Sequence, residues 1–322
     1  MVQKRPLAIK RRKPRFSLDD LQLFLLSLPT AIWYILFCYV PMFGIVIAFK
    51  SYQIAPGKGF LYSLFVNSPW SGLDNFEYLF KTKYVAMMLR NTLGYNIVFI
   101  ILGVVLPVTL AILLSELYSR RIAKISQTAM FLPHFLSWVV VGYFVFAFLS
   151  TDKGLINNVL EATGGSTVLW YQTPDKWPFI LVFLQVWKTI GYGMVVYMAA
   201  ISGIDTSLYE AAVIDGAKKS QQIRFITLPL LRPIMSIMFI MAVGRIFNSD
   251  FGLFYQAPKN SNSLSSVTLT IDVYVYNALR GSSKPQYNYA SAAGFLQSVF
   301  GCITLLTANL VVRRIDPDSS LF

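Results

Sequence analysis

The chain has 322 residues, of which 55% are hydrophobic and only 13% are charged, with a mean hydropathy of +0.55 and a net charge of +13. These values exclude a typical soluble domain, because the apolar residues form runs of the roughly 20 residues that cross a bilayer. The single histidine, His134, excludes a multi-histidine metal site, and Cys38 and Cys302 have no metal-binding spacing. The positive charge lies beside the apolar runs, a pattern typical of membrane topology and not of nucleic-acid binding.

The apolar runs predict an all-α membrane protein with six transmembrane helices. We expect a basic cytosolic tail at residues 1–20, a transmembrane domain at residues 21–314 and a short cytosolic tail at residues 315–322. Pro29 and Pro41 predict kinks in the first span. The predicted spans cover approximately residues 23–49, 93–117, 128–149, 177–201, 234–254 and 290–312.

The distribution of lysine and arginine predicts the orientation of these spans. With the limits above, the segments on the side of the two termini carry 16 basic residues, and the longer segments on the opposite side carry 10. Positively charged segments near spans stay on the cytoplasmic side. We therefore expect both termini in the cytosol.

A polar stretch between the fourth and fifth spans, EAAVIDGAKKSQQIRFITLP at residues 210–229, is the most informative part of the chain. Ser207 lies three residues before Glu210, which predicts a capping box that opens a helix. Ala211 and Ala212 keep one side of that helix thin, so that another surface can approach it. Gly216 is expected to turn the chain, because glycine reaches positive φ at little cost.

The spacing of this stretch, Glu-Ala-Ala, then Gly after three residues and Ile-x-Leu-Pro after nine more, resembles the coupling loop of permease subunits of binding-protein-dependent ABC importers. Asp215 and Ala217 fit the carbohydrate-uptake branch of that family. The stretches PMFGIVIAFKSY and WSGLDNF, at residues 41–52 and 70–76, resemble the group that takes up fragments of complex polysaccharides. The resemblance covers about residues 41–312 and implies the six-helix type I ABC importer permease fold.

The resemblance also implies a function and a set of partners. We expect a permease subunit for oligosaccharides in the bacterial cytoplasmic membrane, working with a second homologous permease, two ATP-binding subunits and an extracytoplasmic solute-binding protein. The chain has no G-x-x-x-x-G-K-[ST] phosphate loop, so ATP and Mg²⁺ are expected on the partner ATPases and no cofactor on this chain. Within a cytosolic coupling loop at residues 205–232, the resemblance assigns ATPase coupling to Glu210, Ala211, Ala212, Asp215, Gly216, Leu228 and Pro229.

Two cations fall inside predicted spans, Lys188 in the fourth and Arg245 in the fifth. Charges in hydrocarbon are costly and usually face a cavity or a partner. Lys188 can instead snorkel to the headgroups, and Arg245 can instead pair with Asp250 or a partner subunit. Because aromatic faces beside polar groups suit sugar rings, the candidate substrate path comprises Trp187, Lys188, Tyr192, Arg245 and Asn248. Its two cations motivate the hypothesis of an acidic, uronate-type oligosaccharide.

Other functions stay open at this point. An ABC importer for a non-sugar solute has the same coupling signature, because that signature reports the motor and not the cargo. An ion-coupled carrier needs acidic groups in the membrane, and no Asp or Glu falls securely inside a predicted span. His134 could relay protons in such a carrier, but a lone histidine near a span end more often has a packing role, and we favour that interpretation. A membrane enzyme needs a nucleophile–base or metal constellation, and we expect neither catalytic nor metal-binding residues here.

Overall fold

The computed structural model describes residues 18–280 and 285–315, and clustering of contacts divides the chain into two units, Met1–Val46 and Ile47–Phe322. Most of the predicted basic tail and the predicted tail after residue 315 lie outside the described residues. In the described part, regular structure is helical apart from one isolated bridge between Lys50 and Trp70. The predicted all-α class is confirmed.

The first unit contains most of the first predicted span. Helix α1 covers Leu18–Tyr34 and runs through Pro29, and a wider π turn follows at Ile35–Tyr39. Pro41 follows that turn after one residue, Val40, and has no N–H to continue the regular hydrogen bonding. The disturbance expected at this proline is therefore seen as a change in helical winding just before it.

The second unit contains the other spans and the segments that connect them. Its longer helices are, in chain order, α2 (Asp74–Lys81), α3 (Lys83–Ser115), α4 (Arg120–Phe131), α5 (Trp138–Leu149), α6 (Leu155–Ala162), α7 (Trp177–Ser202), α8 (Thr206–Ile214), α9 (Leu228–Gly244), α10 (Phe251–Gln256), α11 (Ile271–Arg280) and α12 (Tyr287–Ile315).

Five helical stretches in the described chain are long and apolar enough to cross a membrane, and the bent pair α4–α5 makes six if it counts as one span. Helix α7 begins at Trp177, as predicted. Helix α3 begins at Lys83 and not at residue 93, and α12 begins at Tyr287 and not at residue 290. Both helices begin within the polar segments that precede the predicted spans, where hydropathy alone places the span limit too late.

The third span is not the single helix that was predicted for residues 128–149. The stretches Arg120–Phe135 and Trp138–Leu149 meet at an angle of 99°. Pro133 lies in a tight turn at Leu132–Phe135, and the hydroxyl of Ser137 accepts the N–H of Val140 to start α5. A proline followed by a serine N-cap is a local signal for ending one helix and starting another.

The fifth span, predicted at residues 234–254, is also displaced. Helical structure runs continuously over Lys219–Gly244, and the chain then leaves the helix at Arg245. The carboxylate of Asp250 accepts the N–H groups of Gly252 and Leu253, which starts the separate helix α10. The apolar residues 251–254 therefore belong to this short helix and not to the span.

The WSGLDNF segment organises the connection between the first two predicted spans, in agreement with the structural role expected for it. The buried amide of Asn75 donates to the carbonyls of Ala48 and Lys50 at 2.8 and 3.1 Å. Its oxygen accepts from the side chain of Asn288 at 2.8 Å, which ties the segment to α12. The Lys50 ammonium, on a side chain that is 3% exposed, bonds the carbonyls of Leu64 and Ser68.

The packing of α7 against α3 and α4 forms the centre of the second unit. Gly193 lies against the ring of Pro107, and a Cβ at Gly191 would lie 2.1 Å from the carbonyl oxygen of Met130. Nearby, Met194 and Tyr197 are fully buried among apolar side chains. The two glycines therefore allow backbones to approach closely, as small residues do between membrane helices.

We predict that Gly191→Ala destabilises the detergent-solubilised chain by about 1–3 kcal/mol, because its methyl group overlaps the backbone of α4. Gly94→Ala in α3 is the matched control, since nothing lies within 4 Å of the added Cβ. Thermal unfolding followed by tryptophan fluorescence measures both. Equal melting temperatures for the two variants would show that the close approach at Gly191 is unimportant.

Candidate functional site

Helix α8 forms the first half of the candidate coupling loop. Its N-cap is Asp205, whose carboxylate accepts the N–H of Ser207 at 2.9 Å. The predicted capping box between Ser207 and Glu210 is therefore wrong, and Ser207 lies inside the first turn. An aspartate suits this position because its charge also favours the positive end of the helix dipole. The hydrogen bonds from Ser207 hold the pKa of Asp205 below its usual range.

The surface of α8 is unusually open, since none of its residues is buried. Glu210 and Ala211 are exposed and Ala212 is half-buried. Val213 and Ile214 are 61% and 86% exposed, although both are large and apolar. No local pattern predicts the exposure of these two residues, because an apolar pair on a loop helix is expected to pack inward. Together they form an apolar surface of the kind that marks a docking site.

Gly216 ends α8 and turns the chain, as predicted. Its φ is +77°, its N–H bonds the carbonyl of Val213, and the N–H of Ala217 bonds that of Ala212 at 2.8 Å. This pair of bonds is the Schellman arrangement, which needs a left-handed residue. Asp215 occupies the preceding C-cap position and is exposed.

The second half of the loop leads into α9 without a break. A helical turn at Lys219–Gln222 and a π turn at Ile223–Thr227 pass directly into Leu228 and Pro229, which are half-buried at the start of α9. The hydroxyls of Tyr209 and Thr227 lie 2.9 Å apart and join the two halves of the loop.

An ion pair connects this loop to the end of α3. The ammonium of Lys219 lies 3.0 Å from the carboxylate of Glu116. Sequence reasoning did not find this pair, because the two residues are far apart in the chain and a charge at a span end is commonplace. The pair fixes the position of the loop relative to the second span.

Lys188, in the candidate substrate path, lies at the break between α4 and α5. Its ammonium donates to the carbonyls of Pro133, His134 and Leu136, at 2.9 Å for His134, and lies 5.4 Å from the ring centroid of Trp138. The bend leaves carbonyl oxygens of this segment without helical partners, and Lys188 provides three donors. This position supports the break directly.

Aromatic side chains continue from this point in two directions. The ring of Tyr192 stacks on His134 at 5.1 Å, and His134 in turn stacks on Phe131. The indole N–H of Trp138 donates to Asp250 at 2.7 Å. The structure therefore brings Lys188 and Tyr192 together with four residues that were not assigned to the path.

The other candidate path residues lie elsewhere. Trp187 is half-buried and packs against the core in the first half of α7. Arg245 and Asn248 are exposed and follow α9, outside the span in which Arg245 was predicted. The ion pair considered between Arg245 and Asp250 is not formed among the described residues.

A cleft of about 290 Å³ opens between α5 and α10, beside Trp138 and Asp250. Tyr143, Tyr255 and Lys259 line it, and the Lys259 ammonium lies 5.5 Å from the ring centroid of Tyr143. The ring of Tyr255 stacks on Phe251 at 4.9 Å. A cation among aromatic faces was expected of the path, but the sequence places Lys259 in a polar loop with nothing to indicate its neighbours.

We predict that Lys219→Ala raises backbone hydrogen exchange over residues 205–222 by up to about fivefold, because an exposed ion pair contributes at most about 1 kcal/mol. Lys218→Ala, which removes a neighbouring charge outside the pair, is the control. The exchanged pair Glu116→Lys with Lys219→Glu should restore protection. If the two alanine variants exchange alike, the ion pair does not hold the loop.

Comparison with known proteins agrees with this architecture. The chain is 34% identical to the polygalacturonan/rhamnogalacturonan transport system permease protein YteP of Bacillus subtilis (strain 168), over 96% of this chain and 94% of YteP. It is 32% identical to Protein LplB of the same organism, over 93% and 91% of the two chains.

Among solved structures, the chain is similar to a bacterial ABC transporter involved in the import of the acidic polysaccharide alginate. The TM-score is 0.81 at 32% sequence identity, covering 92% of this chain and 97% of that one. The predicted type I ABC importer permease fold is thereby confirmed. The family model of the binding-protein-dependent transport system inner membrane component matches residues 103–317. The chain therefore belongs to this family, the multi-pass inner-membrane permease components of binding-protein-dependent ABC importers.

Proposed function

We propose that this chain is the permease subunit of an ATP-driven importer for acidic oligosaccharides, of the uronate-containing type. The observation that carries the proposal is the similarity over nearly the whole chain to the permease of an alginate importer. YteP, a relative over a comparable length, is named for polygalacturonan and rhamnogalacturonan. Arabinooligosaccharide permeases are more distant relatives, at 30% identity for AraP of Bacillus subtilis.

The exposed helix α8 is the element through which we propose that ATP hydrolysis acts on this chain. In this proposal, Ala211, Val213 and Ile214 enter a groove of a partner ATPase, and the exposed Glu210 pairs with a basic residue of that partner. Gly216 sets the turn after the helix. The continuous path through Leu228 and Pro229 then carries the movement into α9.

The partners and the orientation in this proposal follow the family. A second homologous permease completes the path, two ATPase subunits hold ATP and Mg²⁺, and a solute-binding protein delivers the sugar from outside. A related alginate transporter was solved with a periplasmic protein that carries an alginate pentasaccharide. Both termini and α8 lie in the cytosol, which the excess of basic residues on that side supports.

The proposed substrate path runs along the patch formed by Lys188, Tyr192 and Trp138 and the adjacent cleft at Lys259. Aromatic rings there can stack on the C–H faces of sugars. Lys259 and the exposed Arg245 supply positive charge for carboxylates. The charge of Lys188 is already shared among three carbonyls, so we assign it to holding the break and only secondarily to the sugar.

An importer for a non-sugar solute is the second candidate, since the coupling loop is independent of the cargo. Alginate and polygalacturonan in the names of similar proteins favour sugars. An ion-coupled carrier has no such support.

We predict that Gly216→Pro abolishes the stimulation of ATPase activity by sugar-loaded binding protein, because proline fixes φ near −65° where the turn has +77°. Glu210→Ala should reduce the stimulation. The control is Gly203→Ala, at a glycine with φ of −85° and only ordinary contacts around its added Cβ. Full stimulation in Gly216→Pro would refute the coupling role of this turn.

We predict that Arg245→Met or Lys259→Met lowers the uptake of a galacturonate trisaccharide relative to a neutral galactose trisaccharide by about tenfold, as expected for a lost charged hydrogen bond. Lys153→Met, an exposed lysine near α6, controls for the change in net charge. Uptake into proteoliposomes that contain the complete importer is the measurement. Unchanged preference in both variants would rule out charge recognition by these residues. Lys188→Met, which also opens the break, is informative only if it assembles.

A further inference from the structure

A second, larger cleft of about 470 Å³ lies among the residues between α10 and α12 and the first turn of α3. Its wall carries four amide side chains, Asn260, Asn262, Asn277 and Gln286, and two tyrosines, Tyr84 and Tyr274. Among the residues that the structure describes, no charged side chain lines it, and the Lys83 ammonium lies 5.7 Å from the ring centroid of Tyr84. The cleft adjoins the start of α3, whereas Glu116 meets the coupling loop at the other end, about 50 Å away for a helix of 33 residues.

The backbone beside this cleft is strained. Lys259 and Asn260 have φ of 53° and 48°, so two consecutive non-glycine residues are left-handed. Such a conformation costs energy and persists only when its surroundings hold it. Here the N–H of Asn260 bonds the carbonyl of Tyr255 at 3.0 Å, and the side-chain amides of Asn260 and Asn277 bond each other in both directions, at 3.2 and 3.1 Å.

The reciprocal amide pair uses only part of the hydrogen-bonding capacity of its members. Each primary amide has two N–H donors and an oxygen with two lone pairs. The pair occupies one donor and one acceptor position on each residue, which leaves the others for a ligand. A volume of 470 Å³ is within the range of small-molecule sites.

From this geometry we propose that the cleft is an accessory sugar site, which binds one residue of the transported oligosaccharide at the outer face, apart from the translocation path. Its amides and hydroxyls complement the hydroxyl groups of a sugar ring, and the exposed ring of Tyr84 offers a stacking face. Since the described lining side chains are uncharged and rich in amides, the site recognises hydroxyls and not the carboxylate. This inference rests on the proposed function for the class of ligand.

The experiment uses the complete importer in lipid nanodiscs without the solute-binding protein, and saturation-transfer NMR detects the bound sugar. The probes are the galacturonate trisaccharide and the neutral galactose trisaccharide. Both should receive saturation from the native importer. Arg245→Met, a variant in the proposed substrate path, should leave the saturation transfer from the cleft in place. Ala278→Trp, which fills the cleft, should abolish that transfer.

Two matched controls separate the cleft from general effects. Ala162→Trp adds the same bulk at an exposed position of α6, and should leave binding unchanged. Asn277→Ala should weaken binding of both probes about fivefold through loss of a hydrogen bond, while the exposed Asn158→Ala should not. Asn277→Ala also serves as the decisive variant if Ala278→Trp does not assemble.

Several outcomes overturn the proposal. Unchanged saturation transfer in both cleft variants would show that sugar binds elsewhere. Intact sugar binding with lost stimulation by the binding protein would show that the cleft docks that protein instead. If the native importer takes up oligosaccharide but neither probe binds without the binding protein, the accessory site is wrong and the proposed function stands. If the complete importer takes up no oligosaccharide, both fail.

Discussion

The bend of 99° in the third span exposes a constraint on which much of the second unit depends. Carbonyl oxygens that leave a helix in an apolar environment need donors, because neither lipid nor apolar side chains can supply them. Lys188 supplies them from α7, and the bend can exist only where α7 comes close. Gly191, one turn further along α7, makes that approach possible against Met130. The hydrogen bonds from Lys188 to the carbonyls at the bend thus depend on the close packing that Gly191 allows.

A small number of contacts also explains how a movement at α8 can reach the proposed transport path. The loop is held at one end by Glu116 and Lys219, and at the other it is continuous with α9. Helix α9 ends at Gly244, and the next helix begins at Asp250, which bonds Trp138 at the broken span. In the proposed coupling, a displacement of the loop would reach the residues around Lys188 through a helix and a short connection. This continuity is a physical route between the two places.

Sequence periodicity and composition were sufficient for the fold class, because spans are long and apolar. They were also sufficient for the turn at Gly216, because glycine reaches positive φ at little cost. They were insufficient where a helix is interrupted. The sequence of the third span is apolar throughout and therefore predicts one helix. The structure shows that Pro133 lies in the turn that ends one helix and that Ser137 caps the next. Asp205 is the N-cap in place of Ser207, because its carboxylate accepts the N–H of Ser207. The four-residue capping-box pattern from Ser207 to Glu210 does not include Asp205. The contacts of Lys188, Lys259 and Glu116 depend on residues distant in the chain, so no local pattern could have revealed them.

The strained pair Lys259 and Asn260 lies between the two clefts and contributes a cation to one and an amide to the other. Lys259 lines the aromatic cleft beside Trp138, and Asn260 lines the uncharged cleft beside Tyr84. A uronate sugar has both a carboxylate and several hydroxyls, and a chain of such sugars presents the two kinds of group along its length. The left-handed turn places the Lys259 side chain in one cleft and the Asn260 amide in the other, at the cost of its own conformational energy.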